Sequence, residues 1–310
     1  MNVVALAVVP VFGTVALGYA LARAGLFDSD SGRGLTRFMY YLAIPAMLFR
    51  SLLEAELPQR IPWDYLCAFY LPSFFLFAIG MLCARHFLGW QRHETAMAGM
   101  SAGYSNMVLL GFPLTLAAFG PEAAVPMFLL LATQSTFLFP LTTYTLEMTA
   151  PERAGGARAQ LGTIIKLIIN PVILSMMLGV SANLLGFGLP LVVDRSLELL
   201  SAAGPACALI ALGISLADYK IGGSYRDVSL LIGLKNFVHP LLVWIACDAL
   251  DIETTWKHVA VVLAAMPCGL NAFIFATQYD IRKETVSKCI VVSTALSSIV
   301  ATLLLAWFHR

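Results

Sequence analysis

The sequence predicts an all-α membrane protein of ten transmembrane helices, arranged as two five-helix repeats of opposite orientation. Three observations predict it: a composition too apolar for water, basic residues gathered in alternate connections, and a proline and glycine pattern that recurs half a chain later. Of the 310 residues, 59% are apolar and 12% charged, against about 25% charged in a soluble domain; mean hydropathy is +0.82. These values exclude a soluble enzyme. At about 20 apolar residues per crossing, the length holds roughly ten crossings and leaves little for an extramembrane domain. A formal charge of +1, with no basic cluster, argues against nucleic acid as a partner. Cys67, Cys83, Cys207, Cys247, Cys268 and Cys289 form no CxxC and no Cys/His pair of ligand spacing, so neither a disulfide framework nor a metal site is expected.

Span 1 covers 3–22; it lacks a preceding basic region and is too long for the apolar part of a cleaved signal peptide, which reads as a retained helix. Spans 2 to 10 follow at 37–53, 64–84, 96–119, 124–146, 163–184, 197–217, 228–247, 258–277 and 288–308. Internal glycines and prolines do not oppose helices here, because both are commoner in membrane helices than in soluble ones. Strands are excluded because lipid cannot satisfy an open strand edge.

The basic residues orient these spans. Connections after spans 1, 3, 5, 7 and 9 carry Arg23, Arg33, Arg37, Arg85, Arg92, Arg153, Arg158, Lys166, Lys220, Arg226, Arg282, Lys283 and Lys288. The other side carries only Arg50, Arg60, Arg195, Lys257 and Arg310, and Lys235 lies inside span 8. Cytoplasmic loops are the basic ones, which places both termini on the non-cytoplasmic side.

Span 1 contains Pro10-Val11, then Leu17-Gly18, then Gly25; span 6 contains Pro171-Val172, then Leu178-Gly179, then Gly186, each exactly paired at an offset of 161. Pro45-Ala46 and Pro205-Ala206 are 160 apart, and Pro72 and Pro240 are 168 apart. Five spans per half is odd, so the second copy is inverted in the membrane, as in many secondary transporters. Residues 1–150 form the first repeat and 151–310 the second.

Such folds bind substrate near the bilayer midplane, at helices broken by glycine and proline. Span 4 reads Gly103-Tyr104-Ser105-Asn106-Met107-Val108-Leu109-Leu110-Gly111-Phe112-Pro113, and span 9 reads Met266-Pro267-Cys268-Gly269-Leu270-Asn271. Pro113 lacks an N–H and Gly111 admits a break, so span 4 is expected to open there. Asn106 and Asn271 flank the two breaks. A buried amide either donates to a carboxylate or caps a broken helix; both roles are open, and one asparagine can serve both. Tyr104, Ser105, Gln134 and Ser135 are candidates to line the same site, although hydrogen bonds between helices account equally well for such polar groups.

The runs NMVLLGFPL at 106–114 and AAMPCGLNAFIFATQYD at 264–280, with VVPVFGTVALGYALARAGLF at 8–27 and AIPAMLF at 43–49, resemble the auxin efflux carrier family over essentially the whole chain. That family includes plant auxin carriers and bacterial permeases annotated for malonate or malate. The resemblance implies a ten-helix fold like bile acid symporters and sodium/proton antiporters, with spans 1, 2, 6 and 7 as scaffold and homodimer surface. Spans 3–5 and 8–10 would form a transport domain that moves as an elevator, with spans 4 and 9 crossing at their breaks. By position, the resemblance assigns substrate contact to Asn106, Gly111, Pro113, Pro267 and Asn271. This chain departs from the plant members in two ways: the connection after span 5 is short, and the interior of span 3 has no carboxylate beyond Asp64 at its start.

Ion-coupled relatives of this architecture carry acidic groups at the crossing, and none is present here. Glu147, Glu198, Asp227 and Asp248 fall at helix ends and read as solvated. Lys235 and His239, four residues apart, share one face of span 8 and are candidates for coupling or anion attraction. Lys235 either draws the anion and steadies the transport domain or snorkels to the surface; His239 is either a proton carrier or a packing residue.

With no P-loop, nucleophile triad or metal motif, the sequence reads as a secondary transporter of small organic acid anions, without cofactor, in the inner membrane of a bacterium. The competing readings are a sodium- or proton-coupled antiporter or bile-acid-type symporter of related fold and a non-transporting receptor or sensor.

Overall fold

The computed structural model describes residues 3–55, 61–149, 171–219 and 223–308. The connection after span 5 and the start of span 6 lie outside the described residues, as do Arg60, Arg153, Arg158, Lys166, Lys220 and Arg310. Among the described residues regular structure is helical, with one isolated bridge between two chain segments.

The helices are α1 (Val3–Arg23), α2 (Ser29–Phe38), α3 (Ile44–Glu54), α4 (Trp63–His86), α5 (Thr95–Gly103), α6 (Phe112–Phe119), α7 (Ala124–Thr149), α8 (Pro171–Leu184), α9 (Leu191–Asp218), α10 (Tyr225–Gly233), α11 (His239–Ala249), α12 (Thr254–Ala265), α13 (Leu270–Gln278) and α14 (Lys283–Phe308). Three π-helical turns, Met39–Ala43, Met107–Gly111 and Leu234–Val238, join α2 to α3, lead into α6, and join α10 to α11. Six helical stretches among the described residues are long and apolar enough to cross a membrane: 6–23, 63–86, 107–146, 191–218, 225–249 and 283–308. The protein is thus an all-helical, multi-pass membrane protein. Spans 2, 4 and 9 fall on shorter helices because π turns or breaks interrupt them. The 107–146 stretch itself turns at Gly120, which adopts φ +66. One helix has no counterpart in the span assignment: α2, polar and capped by the Asp28 carboxylate accepting from the Ser31 N–H at 2.8 Å.

The chain divides into two compact units. The first contains α1, α2, α3, 108–132 (which includes α6 and the first nine residues of α7), α8 and α9. In it α1 lies along α9 and α3 along α8. Each contact is made at a glycine: a Cβ on Gly18 would lie 2.5 Å from the Ile210 carbonyl oxygen, and one on Gly179 would lie 2.8 Å from that of Phe49. Small residues let backbones approach this closely, which is how membrane helices gain packing energy without a hydrophobic driving force. Gly25 and Gly186 end α1 and α8 at φ +73 and +63. Both ends form the same paired cap: Gly25 N–H to Ala22 O and Leu26 N–H to Leu21 O, then Gly186 N–H to Asn183 O and Phe187 N–H to Ala182 O. Polar groups tie the remaining ends. The Asn183 amide donates to the carbonyls of Leu52, Leu53 and Ala55 at the end of α3, and Arg50 pairs with Asp194 at 2.6 Å.

The second unit contains α4, α5, Tyr104–Met107, the rest of α7 from Thr133, and α10 to α14. Two of the acidic residues read as solvated are so: Glu198 pairs with exposed Arg195, and half-exposed Asp248 with Lys257. Asp227 is a correction. It is 6% exposed and accepts from the Trp90 indole N–H at 2.8 Å, because Trp90, itself buried, needs an acceptor. The side chain of Glu147 lies outside the described residues.

The glycine contacts predict a contrast. Gly18→Val and Gly179→Val each force a Cβ into a carbonyl oxygen and should cost about 1–3 kcal/mol by overpacking. Gly34→Ala, where an added Cβ meets nothing within 4 Å, should be neutral or stabilising by up to about 1 kcal/mol. Thermal unfolding of the three variants in detergent checks this.

Candidate functional site

Pro267 forces the residue before it out of helical space. Met266 is accordingly extended, at φ −62 and ψ 152, and α12 stops at Ala265. The chain resumes as α13 at Leu270, with Gly269 extended at its N-terminus. No proline marks the equivalent point in span 4. There α5 stops at Gly103, Tyr104 turns extended at φ −101 and ψ 120, and the π turn begins at Met107. The expected break at Gly111–Pro113 is therefore a correction. Gly111 is helical at φ −59 and ψ −47, and Pro113 follows directly on the π turn Met107–Gly111, so the helix passes through both positions without opening.

The two breaks pair with each other. Ser105 and Cys268 form an antiparallel bridge, in which the Asn106 N–H donates to Pro267 O at 2.9 Å and the Gly269 N–H donates to Tyr104 O at 3.0 Å. The opposite edge of the Tyr104–Asn106 segment is closed by a side chain. Gln134 accepts from the Ser105 N–H at 3.1 Å and donates back to Ser105 O at 2.9 Å. Its amide thus acts as a third strand, which accounts for its 2% exposure. On the other segment, the Cys268 N–H donates to Ser293 Oγ at 3.1 Å.

Lys235 enters this crossing from the π turn between α10 and α11. Its ammonium donates to Ala264 O at 2.6 Å and Ser105 Oγ at 2.8 Å, and lies 3.0 Å from His239 Nδ1. Those three acceptors use all three ammonium donors. His239 Nε2 lies 2.9 Å from Ser73 Oγ, which itself donates to Phe69 O. This pattern closes with a neutral imidazole that accepts at Nδ1 and donates at Nε2. Lys235 is 1% exposed and His239 is buried, so Lys235 does not snorkel. Among the described residues no carboxylate lies within ion-pair distance of it. It lies at the carboxyl end of α12, where the helix dipole is negative.

Asn236 was not among the candidates. Its amide donates to Ala265 O at 3.3 Å and Ser297 Oγ at 2.7 Å, so consecutive residues cap the last two carbonyls of α12. Neighbours in sequence do not share a face in an α-helix; the π turn brings Lys235 and Asn236 to the same place. Pattern analysis at a period of 3.6 has no signal for this.

Tyr104, Ser105, Asn106, Gln134, Ser135, Lys235, His239, Pro267 and Asn271 therefore all belong to the second unit, whereas Gly111 and Pro113 belong to the first. The Asn271 amide donates to the Tyr104 hydroxyl at 2.7 Å, and that hydroxyl shares a hydrogen bond with Ser135 Oγ at 2.9 Å. Asn106 is 4% exposed, whereas Asn271 is partly exposed.

A second tie lies where the broken spans begin and end. Glu94 precedes α5 and accepts two hydrogen bonds from Arg282, which follows α13, both at 2.9 Å. Arg282 also lies over the Trp90 ring at 4.8 Å. Burial by itself would raise the Glu94 carboxyl, but the hydrogen bonds from Arg282 and the Gln91 N–H, with the Arg282 charge, hold it below its ordinary range.

Two tests follow from this geometry. Gln134→Leu leaves the Ser105 N–H unpaired, while Ser105 O keeps the Met107 N–H at 2.9 Å, and should cost about 1–3 kcal/mol for the one orphaned group, read from thermal unfolding. For Glu94, a lowered folded pKa means stability that is full above the unfolded carboxylate range and is lost as pH falls through the folded value. The unfolding midpoint of wild type should exceed that of Glu94→Gln near neutrality, and the gap should close in acid below that value.

The sequence model of the family described as "Membrane transport protein" matches residues 3–305. The chain is 29% identical over 303 residues to the "Putative malonate transporter" of Rhizobium meliloti, covering 96% of this chain and 93% of the relative. It is 28% identical to an "Uncharacterized transporter" of Methanothermobacter thermautotrophicus, covering 94% and 93%, and 24% identical to "Auxin efflux carrier component 8" of Arabidopsis thaliana, covering 92% of each. These relatives are named transporters or carriers, in agreement with a non-enzymatic role. With nearly the whole chain matched, the protein belongs to the membrane transport protein family, that of the auxin efflux carriers.

Proposed function

We propose that the protein carries small organic acid anions, of the class that includes malonate and malate, across the bacterial inner membrane by an elevator motion. The observation that carries this reading is the pairing of two broken helices with an amide residue in each neighbourhood, Asn106 and Asn271. Broken helices paired inside lipid present helix ends and polar side chains to a solute, which an unbroken bundle does not. The name of the Rhizobium relative supports the substrate class.

The ten-helix inverted repeat, with residues 1–150 and 151–310 as its halves, is part of the proposal. The 161-residue offset supports it: Gly18 meets Ile210 O, and 161 residues on Gly179 meets the Phe49 carbonyl, whose own counterpart is Ile210. The caps at Gly25 and Gly186 repeat bond for bond at that same offset. Spans 1, 2, 6 and 7 would serve as scaffold and homodimer surface and spans 3–5 and 8–10 as the moving part. The division into compact units supports this assignment except at 108–132, which groups with the scaffold spans. Both termini would face away from the cytoplasm. Asn106 and Asn271 contact the anion, with Gly111, Pro113 and Pro267 shaping the backbone around it. Lys235 supplies a positive field while its donors stay engaged at α12, and His239 supports Lys235.

In proteoliposomes, Asn106→Ala and Asn271→Ala should abolish flux of labelled malonate while unfolding like wild type; full flux in both variants overturns the site. Flux in the wild type should respond to an imposed pH gradient more than to sodium, and sodium dependence without a pH effect overturns that coupling.

A further inference from the structure

Asn271 is proposed above to bind the substrate carboxylate, yet its amide is already engaged. Its Nδ2 donates at 2.7 Å to the Tyr104 hydroxyl, and that oxygen lies 2.9 Å from Ser135 Oγ. The phenol oxygen therefore occupies the position that an acceptor oxygen of the anion needs. Tyr104 is held there by its ring. A Cβ on Gly269 would lie 2.3 Å from Tyr104 Cδ1, so the ring packs directly on the backbone at the start of α13. The ring also stacks on Phe139, with centroids 5.6 Å apart. Tyr104 is 3% exposed, whereas Asn271 is partly exposed.

Resting on the substrate reading above, we propose that the Tyr104 hydroxyl is a tethered stand-in for the substrate's carboxylate oxygen and sets the affinity of the site. A part-buried amide left without an acceptor is costly, and the phenol removes that cost when the site is empty. A carboxylate is the stronger acceptor, because hydrogen bonds to an ionised group are about twice as strong as neutral ones. An anion therefore takes the Asn271 donor while the phenol keeps Ser135. A neutral solute only exchanges one neutral hydrogen bond for another and gains little. The site thus remains closed to uncharged polar molecules, and its affinity for the anion is reduced by the bond that must be given up.

The test is equilibrium binding of labelled malonate to the purified full-length protein, together with its flux in proteoliposomes. Tyr104→Phe removes the oxygen and keeps the ring on Gly269; it should tighten malonate binding about five- to tenfold, the worth of one neutral hydrogen bond, and lower KM without raising the maximal rate. Ser135→Ala, which loosens the phenol, should shift binding in the same direction by less. A merely structural role for Tyr104 would weaken binding or leave it unchanged, so unchanged or weaker binding by Tyr104→Phe with wild-type unfolding overturns the inference. Asn271→Ala separates the two levels. If it loses malonate while Tyr104→Phe shows no gain, only the stand-in role fails. If Asn271→Ala binds as wild type does, or if wild type itself binds no malonate, the substrate reading fails and this inference with it.

Discussion

Inside a bilayer an unpaired peptide group has no water to turn to, and the structure depends on how it answers that constraint at one place. Tyr104–Asn106 and Pro267–Gly269 leave helical geometry together and satisfy each other as two short antiparallel strands. Each break would be prohibitively costly alone. Gln134 completes the outer edge with a side-chain amide that has the donor and acceptor of a peptide, and Ser293 receives the Cys268 N–H. The crossing is thus a polar island whose exposed peptide edges are paired, which lets the helix ends around it remain interrupted.

The same interruption creates a charge problem that Lys235 addresses. The carboxyl end of α12 stops within the protein, where its terminal carbonyls have no next turn to bond to. Lys235 and Asn236 supply donors to Ala264 and Ala265 from a neighbouring π turn, and Lys235 joins Ser105 of the other break to the same end. The cation is held by three acceptors and by no described carboxylate. Ser73 of α4 anchors the His239 neighbour of Lys235.

Legibility in the sequence differed between the two breaks, and the reason is local. Pro267 imposes an extended residue at Met266 through a steric clash that any Met-Pro pair would show. Span 4 carries Gly111 and Pro113 as its visible signals, but both are compatible with helix where they fall, the chain running from the π turn Met107–Gly111 into α6 across them. The actual opening at Tyr104–Asn106 is dictated by the partner strand. Asn236 escaped notice for a similar reason: only a π turn places it beside Lys235. Asp227 was read as solvated from its position near a helix start, and burial of Trp90 against it reverses that.

The sequence by itself determined the apolar helical character, the near-repetition of Pro10, Gly18 and Gly25 in Pro171, Gly179 and Gly186, the break at Pro267 and the residue types gathered near it. These depend on composition, on steric clashes within a dipeptide and on periodicity, all carried by neighbouring residues. Only the tertiary structure decided where span 4 opens, that Gln134 serves as a strand, that Lys235 is buried with every donor engaged, and that Asn271 donates to the Tyr104 hydroxyl. Each of those depends on hydrogen bonds between residues from about 29 to 167 positions apart, and such bonds form only after the helices have packed and lipid has removed water as the alternative partner.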